Sequence, residues 1–196
     1  DELEYRMRRL GADGPSYETI VASGPDNAAR PHHRPTSAAI LEGHTVVIDV
    51  GALVQGYHSD MTRSFVIGEM ASEQREIYAA VERAQQAGVE AVAPGVPVRD
   101  VDAACRKVLQ EAGLVDLFTH GTGHGVGLAI HEEPFLNAVS PAILEPGEVV
   151  TVEPGVYRGG FGGFRVEDLV VVTETGCRRL TNSPKDPTCL QSPPTT

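Results

Sequence analysis

Apolar and polar positions follow two rhythms along this chain, one with the period of a strand and one with that of a helix. Near the start, Leu3, Met7 and Leu10 share one helical face, and Gly11 stops the helix. Residues 16–23 (SYETIVAS) read as a strand, and residues 24–36 (GPDNAARPHHRPT) as a loop rich in turn formers. Two apolar runs, TVVIDVGA at 45–52 and MTRSFVIG at 61–68, read as strands joined by a short polar connection. Ser72 is placed to cap a helix reaching about Val92, with Ile77, Val81, Ala84, Gly88 and Val92 along one side. Pro94 and Gly95 break it. A second helix is predicted from about Asp100 to Ala112, with Val101, Cys105, Val108 and Ala112 inward and Gly113 as its stop. A glycine- and histidine-rich segment, 119–134, precedes two more strands, EVVTVEPG at 148–155 and FRVEDLVVVT at 164–173. From Asn182 onward four prolines stand among polar residues, so a mobile tail is expected.

The strand pairs repeat. An offset of 104 residues carries Gly43–Gly51 (GHTVVIDVG) onto Gly147–Gly155 (GEVVTVEPG), and Asp49 onto Glu153. Each copy then reaches a second acid followed by an apolar strand: Asp60 before MTRSFVIG, and Glu167 before DLVVVT. The second copy carries three extra residues, which its GGFGGF turn can absorb. A single duplicated strand pair with two carboxylates per copy predicts two half-domains meeting at a shared site, not a solenoid.

The length of 196 residues suits one domain with a real core. With 27 acidic against 16 basic side chains the net charge is −11, which argues against nucleic acid or an anionic membrane surface as partner. No apolar run approaches the roughly 18 residues of a bilayer-spanning helix. The charged start, DELEYRMRRLGADG, lacks the apolar stretch of a signal peptide. Cys105, Cys177 and Cys189 make an odd count with no close pair, which predicts reduced thiols in the cytoplasm and no thiol zinc site.

Acids inside apolar strands change the picture most. A buried carboxylate is costly unless it is paired or metal-bound. Taken singly, Asp49 or Glu153 reads equally as a structural ion-pair partner. Four acids at repeated positions would repel one another if they converged, and two divalent cations would balance them. Metals that close share bridging carboxylates. Oxygen-rich ligands with one imidazole suit Mn(II) or Co(II), with Zn(II) and Fe(II) admissible. The imidazole comes from THGTGHGVGLAIH, which holds His120, His124 and His131, and whose glycines would let backbone approach a ligand. His44, in a turn, and His58, near Asp60, read as structural or incidental. The glycine spacing lacks the Lys-Ser/Thr ending of a nucleotide-binding P-loop, and no GxSxG elbow marks a serine hydrolase.

Taken together and in order, IDVGALVQGYHSDMTRSF, HGTGHGVGLAIHEEP, TVEPGVY and FRVEDLVVVT resemble the pita-bread metallopeptidases, in the branch of Xaa-Pro aminopeptidases and Xaa-Pro dipeptidases (prolidases). The likeness covers about Leu3 to Pro184. It implies an α+β pita-bread (creatinase/aminopeptidase) fold: two pseudo-symmetric halves, a curved antiparallel sheet and helices on its outer face. The catalytic domain would span 1–184, without its first helix and the separate N-terminal domain usual in the family, followed by a mobile tail at 185–196. The resemblance also implies residue roles. Asp49 would hold one metal alone, Asp60 and Glu167 would bridge, and His124 and Glu153 would hold the second metal. Glu153 would shuttle a proton, and His131 and His120 would contact substrate and stabilise the tetrahedral intermediate. His32 would flank the proline pocket, and Arg165 would support the carboxylates. The implied partner is a short peptide with proline in second position, and a homodimer stays open. Rival readings are methionine aminopeptidase-like activity, a metal-free creatinase-like hydrolase, and a binding domain that kept the fold without the chemistry.

Overall fold

The computed structural model describes residues 2–33 and 36–188. In chain order the elements are α1 (Glu2–Arg9), β1 (Gly14–Pro15), β2 (Ile20–Ser23), α2 (Gly24–Asn27), β3 (Thr45–Val50), β4 (Ala52–Val54), β5 (Tyr57–His58), β6 (Met61–Val66), α3 (Ser72–Ala91), α4 (Val98–Glu111), β7 (Gly123–Gly125), β8 (Glu132–Leu136), β9 (Val149–Val152), β10 (Gly155–Arg158), β11 (Gly162–Arg165), β12 (Asp168–Val172) and β13 (Cys177–Arg179). Helices and antiparallel strands share one chain, as an α+β arrangement requires.

The repeat becomes two like-built halves. In the first, β3 and β6 pair, and the hairpin β4–β5 leaves between them. In the second, β9 and β12 pair, and β10–β11 is the corresponding hairpin. The connection expected to be merely polar is therefore a second pairing, and β1 extends it by adding to β4. β2 flanks β3, while β13, β12, β9, β7 and β8 form the five-stranded sheet of the second half. The halves are stitched where β6 meets β11 and the start of β12. Ser64 Oγ donates to Arg165 O at 2.8 Å, Arg165 N donates back to Ser64 Oγ at 2.9 Å, and Glu167 N reaches Thr62 O at 3.2 Å.

The core lies between α3, α4 and the second-half strands, with Val81, Ala84, Val98, Val101, Cys105, Leu109, Val150, Val152 and Phe164 sealed from solvent. A Cβ on Gly88 would collide with Cys105 Sγ and Val152, so α3 approaches both neighbours only because that side chain is missing. The predicted α3 face is the buried one. On α4 the inward row is Val98, Val101, Cys105 and Leu109, not the row ending at Ala112, which is exposed.

Other expectations need correction. Ser72 does not cap α3: Ala71 occupies the N-cap, and Gln74 Oε1 accepts its N–H at 2.9 Å. The strand expected over 16–23 starts only at Ile20, and the loop from Gly24 holds one helical turn. The Leu3, Met7, Leu10 face of α1 buries none of its residues. The tail expected to be mobile is docked as far as it is described: Val66 N donates to Pro187 O at 2.9 Å, and Lys185 Nζ reaches Asp168 at 2.6 Å. Residues 189–196, Cys189 included, lie outside the described residues. Cys105 and Cys177 are free thiols. Among the described residues no helix is long and apolar enough to cross a membrane.

Candidate metal centre

Five side chains come to one cavity from the corresponding ends of both halves. Asp49 sits in β3, Asp60 immediately before β6, Glu153 immediately after β9, Glu167 immediately before β12, and His124 in β7. β7 threads between two strands, pairing with β8 on one side and β9 on the other. A Cβ on Gly123 would strike the Thr151 backbone, and one on Gly125 would strike that of Glu132 and Glu133. The glycines flanking His124 thus serve close strand packing, where the sequence reading had them serve approach to a ligand.

One oxygen each of Asp49, Asp60 and Glu167 lie within 4.8 Å of one another, and all three residues are buried. His124 Nε2 lies 3.6 Å from Asp60 Oδ2 and 3.3 Å from Glu153 Oε1. Its Nδ1 donates to Gly125 O at 3.0 Å, which leaves the Nε2 lone pair pointing at the acids. Thr151 Oγ1 donates to Glu153 at 3.0 Å, and Thr62 Oγ1 donates to Glu167 Oε2 at 2.7 Å. The other Glu167 oxygen, Oε1, is buried with no hydrogen-bond partner among protein groups. Arg165 is buried below the acids and bonds Asp49 Oδ2 at 2.6 Å, Thr62 Oγ1 at 3.0 Å, Tyr157 Oη at 2.8 Å and Pro31 O at 2.7 Å.

The cavity, of about 230 Å³, is lined by Tyr17, Glu18, Ile20, His32, Asp49, Asp60, His124, Ile130, His131, Glu153 and Glu167. His131 stands at its rim with its ring 4.2 Å from that of His124. His32 is also at the rim. His120 is placed differently from the expectation: it does not line the cavity but stands behind it, 3.0 Å from Tyr157 Oη and so one step from Arg165. Tyr17 was missed by sequence reasoning, although its hydroxyl sits between Asp49 Oδ1 and Asp60 Oδ1, within hydrogen-bond reach of each. Just before it, Ser16 Oγ meets His58 Nδ1 at 2.7 Å, so His58 ties the Tyr17 segment to the hairpin that leads to Asp60.

Electrostatics sort these groups. Counting protein groups alone, burial and the neighbouring Asp49 push Asp60 up to about 7. Burial pushes Glu153 up to about 8 against the pull of Arg165. Burial and the surrounding acids hold Glu167 well above the usual range. Burial lowers His124 and His120 to about 4, so both rings are neutral near pH 7. Among the described residues the protein therefore gathers carboxylates and a neutral imidazole, with the buried Arg165 bonded to Asp49 against them. An orphaned buried carboxylate oxygen, clustered acid oxygens and an imidazole lone pair fit divalent cations.

The model of metallopeptidase family M24 matches residues 1–174. The chain is 43% identical over 185 residues to an Xaa-Pro dipeptidase of Pyrococcus furiosus, covering 94% of this chain and 53% of that protein. Among solved structures, an Xaa-Pro dipeptidase from Bacillus anthracis superposes with a TM-score of 0.94 at 44% identity, over 96% of this chain and 53% of that one. An X-Pro aminopeptidase from Thermotoga maritima does so at 0.91 and 38% identity, over 94% and 52%. These likenesses identify the paired halves as the pita-bread fold. The chain spans about half the length of the curated relatives it matches.

Proposed function

The chain belongs to metallopeptidase family M24, and from that premise we propose that it carries the catalytic half of a dinuclear metallo-exopeptidase that cleaves the bond between a first residue and a following proline. The observation carrying this reading is the convergence of Asp49, Asp60 and Glu167 within 4.8 Å, beside His124 and Glu153, with one Glu167 oxygen unpartnered. Asp49, Asp60, His124, Glu153 and Glu167 would hold two cations, Mn(II) or Co(II) by the hardness of the donors. Bound there, such ions supply Lewis acidity, lowering the pKa of water and polarising a carbonyl.

The protein's own groups then divide the work. Glu153 accepts a proton from the attacking water and returns it to the leaving nitrogen. His131 at the rim donates a hydrogen bond to the developing oxyanion. Ile20, Ile130 and His32 offer a largely apolar wall for the proline ring. His120 and Tyr157 brace Arg165, and Arg165 in turn fixes Asp49. The cavity is small beside pockets of roughly 300–1,000 Å³, which favours one or two residues of peptide. The free thiols fit a reducing compartment, so the proposed location is the cytoplasm.

The test is hydrolysis of an Xaa-Pro dipeptide beside an Xaa-Pro-Xaa tripeptide, with chelator and then with added Mn(II). Metal-dependent release of the first residue from either supports the reading, and the preferred length assigns dipeptidase or aminopeptidase. Turnover that survives complete metal removal contradicts it. Glu153→Gln should retain substrate binding while kcat falls by about 100-fold or more.

A further inference from the structure

On the opposite side of the strand ends that carry the acids, Arg63 of β6 is buried, its side chain 4% exposed. Its guanidinium is saturated. Nη1 donates to Thr62 O at 2.9 Å and to Glu167 O. Nη2 donates to Asp168 Oδ1 and to Ser183 O, both at 2.8 Å. Nε is shared between Ser183 O and Pro184 O at 3.2 Å each. The two peptides gripped by Nη1 belong to residues whose side chains bond each other beside the cavity, since Thr62 Oγ1 donates to Glu167 Oε2. One planar group therefore fixes the backbone of both halves directly behind that contact.

The segment 183–188 completes the arrangement. Its carbonyls satisfy Arg63, Lys185 Nζ reaches Asp168 at 2.6 Å and Gln85 Oε1 at 2.7 Å, and Tyr78 Oη donates to Lys185 O. Val66 N donates to Pro187 O, so the segment also lies along β6. We infer that Arg63, with this strap folded onto it, is a positioning residue for the metal centre: it sets the spacing between the Asp60 and Glu167 ends of the two halves. The inference rests on the dinuclear reading above. A lysine at 63 keeps the charge but offers one ammonium in place of a fork, so it cannot hold both peptides and the strap together.

The experiment strips the protein with chelator and titrates it with Mn(II) alone, by calorimetry and by electron paramagnetic resonance, for the natural chain, Arg63→Lys and Lys185→Met. The natural chain binds two ions. Arg63→Lys keeps its far-ultraviolet circular dichroism and a cooperative melt, binds the weaker ion about 10- to 100-fold less tightly, and shows an altered coupling signature for the manganese pair. Lys185→Met changes both in the same direction, by about threefold. Unchanged affinities and an unchanged coupling signature in Arg63→Lys, with only a lower melting temperature, overturn the inference and leave Arg63 as scaffold. If Arg63→Lys does not fold, Lys185→Met decides alone, and unchanged binding there overturns it. Fewer than two ions on the natural chain overturns the dinuclear reading itself.

Discussion

Glu167 and Asp168 are consecutive in the chain, 1% and 0% exposed, and meet opposite surroundings. Asp168 faces Arg63, Arg179 and Lys185, at 2.8, 3.3 and 2.6 Å. Burial alone would raise it, but Lys185 and Arg63 hold its carboxyl below the usual range. Glu167, pointing the other way, faces Asp49, Asp60 and Glu153, and is held well above that range. The chain neutralises one buried acid with three of its own cations and leaves the next among other acids with one oxygen unpartnered. The difference teaches that the second pocket is not a structural ion-pair network with a member missing. It is a buried acid cluster with Arg165 at one side and a donor set that suits divalent cations, as the metallopeptidase family implies.

The contrast can be broken by treating both residues alike. Glu167→Gln should remove the paired-ion stoichiometry and lower peptidase activity by more than about 100-fold, beyond the loss of an outer partner, as metal analysis and kinetics would report. The same variant should leave the metal-free protein as stable as before or slightly more so, because a neutral amide removes the cost of protonating the buried carboxyl. Asp168→Asn should do the reverse. It leaves buried cations underpaired and should cost roughly 3–5 kcal/mol in urea unfolding, while the ion count stays at two. Equal effects of the two substitutions on both readouts would erase the distinction.

A smaller effect should appear in pH dependence. The carboxyls of Asp60 and Glu153 rise from near 4 to about 7 and about 8, so their contribution to stability is fully present below the unfolded value and is lost as pH rises through the folded ones. The imidazoles of His120 and His124, lowered to about 4, oppose this only below about pH 6.5. Between about pH 6.5 and 8.5 the metal-free protein should therefore lose stability as pH rises. With saturating Mn(II) the slope should reverse, because ion binding requires deprotonated carboxylates. Melting curves across that window, with and without Mn(II), measure both slopes.

Much of this was legible because it follows from period and repetition. The offset that carries Asp49 onto Glu153 marked both halves, and apolar alternation found the strands that hold the acids. What escaped depends on contacts without a periodic signature. Tyr17 reads as an ordinary strand former, and only the folded chain brings its hydroxyl to Asp49 and Asp60. The segment 183–188 has the proline-rich, polar composition of a mobile tail, yet it is held by its backbone carbonyls and Lys185, which composition does not reveal. His120 carries the same motif as His124 and His131, but the path of the chain turns it toward Tyr157. The α3 cap went to Ala71 and Gln74 because a glutamine three residues on can serve the N-cap N–H without a polar residue at the cap itself.

Calorimetric titration of the chelator-stripped protein with Mn(II) at pH 7, with proton release read from buffers of different ionisation enthalpy, tests the central claim most directly. Two ions per chain, with protons displaced from the acid cavity as they enter, is the predicted result. Saturation without any stoichiometric site, or a single ion bound with no proton released, would contradict it.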